Sequence, residues 1–147
     1  MKKSFRGLLA HEGQDTIRLS TNNGLTGYKI TKFQGIGETP AGSNSESLLK
    51  LYKYKQDTIT EDINFEDGTL LGIVYWQGGA TAGDTPQDMI IIFDNEIFNQ
   101  DIYITHYESH EGSGAKYNCN YYLELEQVKL DQSEATVATL KDMRGSN

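Results

Sequence analysis

Two apolar segments interrupt the polar pattern of this chain. They are Leu70–Trp76, with the sequence LLGIVYW, and Met89–Phe93, with the sequence MIIIF. A β-strand with one face in water alternates apolar and polar residues, and these two segments do not. They therefore predict strands that are covered on both faces. Because the chain is short, we expect another subunit or a large surface to cover the second face.

Period-two alternation predicts further strands, each buried on one face only. The segments that show it are Thr16–Ser20, Tyr28–Phe33, Leu48–Lys55, Asp101–Ser109 and Asn120–Leu130. In Asp101–Ser109 the alternation places Ile102, Ile104 and His106 on one side. Ala135–Met143 fits either a last strand or a short helix capped by Ser133, and we favour the strand.

The spacing of these segments predicts the fold class. About eight to ten short strands follow one another, separated by turn signals and without a convincing long helix. This pattern is typical of an all-β protein. We predict a single-domain antiparallel β-sandwich or jelly roll that spans residues 1–147.

Composition narrows the classes of partner. The chain has 13 Lys and Arg against 21 Asp and Glu, a net charge of -8, which argues against a nucleic-acid partner. Its apolar runs are far shorter than the ~20 residues that span a bilayer, so we expect no membrane partner. Residues 1–10 lack the apolar core of a signal peptide, which indicates synthesis in a cytoplasm. The single cysteine, Cys119, excludes an intrachain disulfide.

Candidate chemistry is sparse. His106 and His110 suggest a metal site, but four residues along a strand span about 13 Å, too far for one ion. Asp94, Glu96 and Asp101 are carboxylates that a small β-sandwich hydrolase could use, although nothing marks two of them as a pair. Cys119 has no base near it in sequence to activate the thiol. We therefore expect no enzyme activity, no cofactor and no metal.

Aromatic side chains are the stronger functional signal. Tyrosine and tryptophan combine a large contact area with a polar tip, which suits protein interfaces and also sugar stacking. Some of these rings will simply line the sandwich core. The residues that we predict to form a mixture of core and interface are Tyr52, Tyr54, Trp76, Phe93, Tyr103 and Tyr107.

Three stretches carry a family resemblance. They are MKKSFRGLLA with GQDTIRLSTNNGLTGYKI after it, MIIIFDNEIFNQDIYITHYES, and CNYYLELEQVKLDQSEATVATLKDMR. Together they resemble small structural proteins encoded by marine tailed bacteriophages, whose genes lie among the virion genes. The resemblance implies a place in the particle without implying a catalytic site.

The first hypothesis is accordingly a non-enzymatic virion protein, a capsid decoration or cement protein. It would form a homo-oligomer, a trimer or dimer, and bind the major capsid protein only in the assembled shell. The alternative is a tail-associated module that binds host receptor glycans, with its site near Asp94–Asp101.

Overall fold

The computed structural model describes residues 1–39, 45–78, 89–93, 96–109 and 117–144. Within these residues the chain forms two antiparallel sheets that pack face to face, so the predicted all-β sandwich is confirmed. The strands are β1 (Lys2–Leu9), β2 (Gln14–Ile17), β3 (Thr26–Gly37), β4 (Ser45–Tyr52), β5 (Leu70–Gly78), β6 (Met89–Ile92), β7 (Ile102–Ser109) and β8 (Cys119–Lys129), and one helix follows, α1 (Gln132–Arg144).

The smaller sheet has three strands in the order β1-β8-β3. The central strand β8 directs Tyr121, Leu123 and Leu125 into the core, on the face that the alternation predicts. Gly7 and Gly35 lie directly opposite Tyr121 on its two neighbouring strands. Because glycine has no side chain, the two positions beside Tyr121 leave room for large side chains to pack against the sheet.

The larger sheet has five strands in the order β2-β7-β4-β5-β6. Ile102, Ile104 and His106 of β7 point into the core, and Leu49 and Leu51 of β4 join them. The main core lies between the two sheets and includes Phe33, Phe98 and Cys119 as well.

A tight corner joins the two sheets between β1 and β2. Glu12 adopts a left-handed backbone conformation there, with φ of 60°, and the Gly13 amide donates to the Ala10 carbonyl over 2.9 Å. The corner is fastened to β7, because Glu12 N donates to the His106 carbonyl and His106 N donates to the Gly13 carbonyl. This region places His106 beneath the corner.

The outer face of the larger sheet carries a second apolar cluster. Leu48, Tyr52, Leu70 and Ile73 are buried there, with Tyr75, Ile91 and Phe93 packed against them. The chain's own segment 53–69 covers this cluster: Lys50 Nζ donates to the Asp62 carbonyl over 2.7 Å, and the Phe65 ring contacts Phe93. The prediction that another subunit or a large surface covers the second face of Leu70–Trp76 was wrong, because Leu70 and Ile73 are already buried within the chain.

The C-terminal element is a helix, so the prediction of a strand at Ala135–Met143 was wrong. Asp131, rather than Ser133, caps it: Asp131 Oδ1 accepts from the Glu134 amide over 2.7 Å, and Glu134 Oε1 accepts from the Asp131 amide. This reciprocal capping box stabilises the first turn. Among the described residues, no helix is long and apolar enough to cross a membrane.

Asn99 and Asp142 fix α1 to the sandwich. The Asn99 side-chain amide donates to the Gly24 carbonyl, the Ala135 carbonyl and Thr139 Oγ1. Asp142 Oδ2 accepts from the Asn99 backbone amide over 3.1 Å. Both side chains are buried, and the helix therefore belongs to the same packed body as the strands.

Candidate functional site

The edge strand β6 exposes large apolar side chains to solvent. Met89 and Ile90 are 54% and 48% exposed, respectively. The two side chains point to opposite faces of the sheet, because successive residues of a strand alternate. Among the described residues, the start of β6 therefore exposes apolar side chains on both faces, and the cover of Met89–Phe93 by another subunit or a large surface stays a prediction.

The free backbone edge of β6 can be assigned from its pairing with β5. Phe93 N donates to the Leu71 carbonyl, and the register pairs Ile91 with Ile73 and Met89 with Tyr75. In an antiparallel pair every second residue bonds to the neighbour. The backbone groups of Ile90 and Ile92 consequently point away from β5, toward the edge of the sheet, where no other described strand pairs with β6.

A cleft of about 330 Å³ opens on the core side of β6. Ile90 and Ile36 flank it, and Ile36 is 55% exposed. The residues described around it are uncharged, in contrast to the acidic chain as a whole: Gln34, Gly35, Ile36, Val74, Trp76, Ile90, Asn120, Tyr121 and Tyr122. The cleft thus continues the apolar surface of β6 toward the second sheet.

On the outer side of β6 the segment 53–69 adds the exposed Phe65. The Phe65 ring meets the Phe93 ring edge to face, with centroids 5.1 Å apart. We call the surface formed by Ile36, Phe65, Met89 and Ile90 the β6 edge surface.

Further exposed apolar residues lie elsewhere. Ile63 lines a separate pocket with Leu48 and Tyr107. Leu8 lies on β1, and Val137 and Leu140 lie on α1.

Two of the six aromatic residues predicted from the sequence lie in the core, and a third borders the β6 edge surface. Trp76 is 8% exposed and packs in the main core, where its ring lies against Gly35. Tyr52 is buried in the outer cluster, and burial raises its pKa to about 12. Phe93 is half-buried and contacts Phe65.

The other three lie apart from that surface. Tyr103 and Tyr107 are half-buried on the outer face of β7, and the Tyr107 ring meets the His11 ring at 4.6 Å. Tyr54 follows β4, with its hydroxyl enclosed. The structure therefore does not bring the six together into one patch. Exposure at β6 is what sequence reasoning missed, because an apolar run carries no signal that its strand lies at an edge.

His106 lies in a closed polar site rather than at a metal centre. It is fully buried, with Nδ1 placed 3.2 Å from the Leu9 carbonyl oxygen and 3.1 Å from that of Ala10. Nε2 lies 3.5 Å from Ser47 Oγ. Burial lowers the pKa of His106, so the ring is neutral at pH 7. His110, which the strand spacing placed too far away to share an ion with His106, lies outside the described residues.

Two of the three carboxylates that the sequence suggested, Glu96 and Asp101, bind other parts of the fold. Asp101 Oδ1 accepts from the amides of Leu19 and Ser20, and these hydrogen bonds help to lower its pKa against the opposing effect of burial. Glu96 forms an ion pair with buried Lys53, whose Nζ also lies 3.7 Å from Asp142 Oδ1. Asp94 is outside the described residues. Among those described, no group of three metal-ligating side chains is placed to hold an ion.

Cys119 is buried at the start of β8, and burial raises the pKa of its thiol to about 12. A thiol in this state is a poor nucleophile.

No protein-family model and no curated protein sequence matches the chain. The exposed apolar residues and the cleft beside β6 make the β6 edge surface the candidate functional site among the described residues.

Proposed function

We propose that this chain is a structural protein of a tailed-phage virion, a decoration protein that acts by association with itself and with the capsid. The observation that carries this proposal is the β6 edge surface. Natural proteins protect free sheet edges with charges, prolines or covering segments. The described residues of β6 are Met89–Ile92, which include no charge and no proline.

The buried polar groups support the same conclusion. The Asn99, Asp101, Asp142 and Lys53 side chains bind elements of the fold to one another. Such contacts stabilise a rigid body, and a rigid body suits a protein whose role is to hold neighbouring subunits together. The acidic balance of the chain, a net charge of -8, also suits a protein that does not bind packaged DNA.

Quantitative mass spectrometry of purified particles tests this proposal directly. We expect a ratio of this chain to the major capsid protein near one, or a simple fraction such as a third. Particles made without the chain should release their contents at a lower temperature, because a ligand of the assembled state stabilises that state. Adding the purified chain should raise the release temperature again. Absence of the chain from particles would overturn the proposal.

A second candidate function rests on the cleft beside β6. Its lining combines Trp76, Tyr121 and Tyr122 with the amide side chains of Gln34 and Asn120. Aromatic edges and amides are groups that can hold a neutral sugar. This would move the glycan site of the alternative hypothesis away from Asp101. A glycan array with wild-type chain and with Asn120→Ala tests it; hits that survive the substitution would place the sugar elsewhere.

A further inference from the structure

The exposed apolar area at β6 lies on both faces of one strand. Met89 is exposed on the outer side, where Phe65 packs against Phe93, whereas Ile90 adds to the cleft beside Ile36. A partner that docks against one face of the sheet would leave the other face in water. A strand that extends the sheet past β6 covers both faces at once, because its side chains also alternate.

The backbone of β6 is ready to accept such a strand. The N–H and C=O groups of Ile90 and Ile92 face the open edge, and among the described strands β6 pairs with β5 alone. A second β6 segment, placed antiparallel about a two-fold axis at Ile91, would bond its Ile92 to Ile90 and its Ile90 to Ile92. This register makes four backbone hydrogen bonds and keeps each face continuous.

We propose that β6 pairs with β6 of a second copy of this chain, which joins two five-stranded sheets into one. The inference deepens the proposed function at the same surface, and it rests on that function for the expectation of self-association. In this register Ile90 lies beside Ile92 of the second copy on the cleft side. Met89 lies beside Phe93 of the second copy on the outer side.

The free edge of β6 is self-complementary, which favours a second copy as the occupant. The described residues of β6 and of the cleft lining are uncharged, so no like charges meet among the described residues of the contact. Two chains of net charge -8 repel each other, and Asp88 and Asp94, which flank β6 in the sequence, would pair across the two copies in this register, so added salt should strengthen the dimer. In an isologous contact both copies use the same surface. Each copy therefore supplies the backbone edge and the apolar side chains that cover those of the other.

Sedimentation equilibrium of the full chain over a range of concentrations tests the proposal. We expect a monomer–dimer equilibrium, and we expect Ile90→Lys to raise its dissociation constant at least about ten-fold because the ammonium would be desolvated in the contact. Leu8→Lys is the matched control, since Leu8 is also 48% exposed but lies on β1 of the other sheet. It should leave the equilibrium unchanged.

Amide hydrogen exchange of the wild-type chain provides a readout that needs no variant. The Ile90 and Ile92 amides should exchange more slowly as the concentration rises through the dimer transition. The Ile91 amide, which faces β5, should be protected at every concentration. Such a pattern is specific to strand pairing and would not arise from apolar contact alone.

Three results would overturn the inference. They are a strictly monomeric chain, a dimer that Leu8→Lys weakens as much as Ile90→Lys does, and concentration-independent exchange at Ile90 and Ile92. If the chain dimerises through β6 but is absent from purified particles, the proposed virion function is overturned and the strand pairing stands. The two proposals can therefore fail separately.

Discussion

The substitution Gly35→Ala tests the packing between the two sheets. Gly35 lies on β3 beneath the Trp76 ring, opposite Tyr121 of β8. A Cβ atom at this position would lie 2.6 Å from Leu49 Cδ1, 2.7 Å from Trp76 Cζ3 and 2.9 Å from Trp76 Cη2. All three distances are well below van der Waals contact, so either the ring or the strand must shift.

The expected size of the effect follows from two opposing contributions. Overpacking a well-packed core by one methyl group destabilises by about 1–3 kcal/mol. Replacing glycine by alanine within a strand returns about 0.5–1 kcal/mol, because glycine loses more backbone entropy on folding. The two ranges differ by about 0–2.5 kcal/mol, so we expect a net loss of about 1 kcal/mol in the free energy of unfolding. For a chain of this size that lowers the melting temperature by about 2–4 °C.

Gly37→Ala is the matched control. Gly37 lies on the same strand and the same face, and a Cβ atom there would meet nothing within 4 Å. It gains the entropy contribution without the clash, so we expect it to be neutral or stabilised by up to about 1 kcal/mol. The difference between the two variants therefore isolates the clash with Leu49 and Trp76.

Urea unfolding monitored by tryptophan fluorescence is a suitable assay, because Trp76 is the single tryptophan and lies at the contact itself. The double variant Gly35→Ala with Leu49→Ala should be less destabilised than the sum of the two single variants, since the cavity accepts the new methyl group. A Gly35→Ala variant as stable as Gly37→Ala would refute the packing described between the sheets.

Three further predictions concern buried polar groups. Burial lowers the pKa of His106 below its ordinary 6.5, so the unfolded chain binds the extra proton first and stability should fall as the pH drops below 6.5. His106→Gln should flatten this slope in urea titrations carried out at each pH. The Cys119 thiol should react with a disulfide reagent only after unfolding, because burial raises its pKa to about 12. Fast reaction of the thiol in the native chain would contradict its burial. Asn99→Ala should destabilise by about 1–3 kcal/mol and speed amide exchange in α1, and unchanged exchange would show that α1 docks without it.

Part of the fold follows from local sequence. Alternation in Asp101–Ser109 and Asn120–Leu130 predicts which side chains of β7 and β8 enter the core, because the period of a strand is local geometry. The spacing of Asp131 and Glu134 is also a local signal for the start of α1, although Ser133 was the predicted capping residue. For these elements, the residues themselves contain the information.

Other features are decided only by contacts between distant parts of the chain. An apolar run shows that a strand needs cover, but it does not show what covers it. For β5 the cover is the segment 53–69, which the Lys50 bond to Asp62 and the Phe65 contact with Phe93 hold in place. For β6, the same kind of run lies at the edge of the sheet, because the strand order is set by long-range pairing. Local sequence therefore specifies which residues are apolar and favour burial, whereas long-range strand pairing leaves two of them, Met89 and Ile90, exposed at the edge.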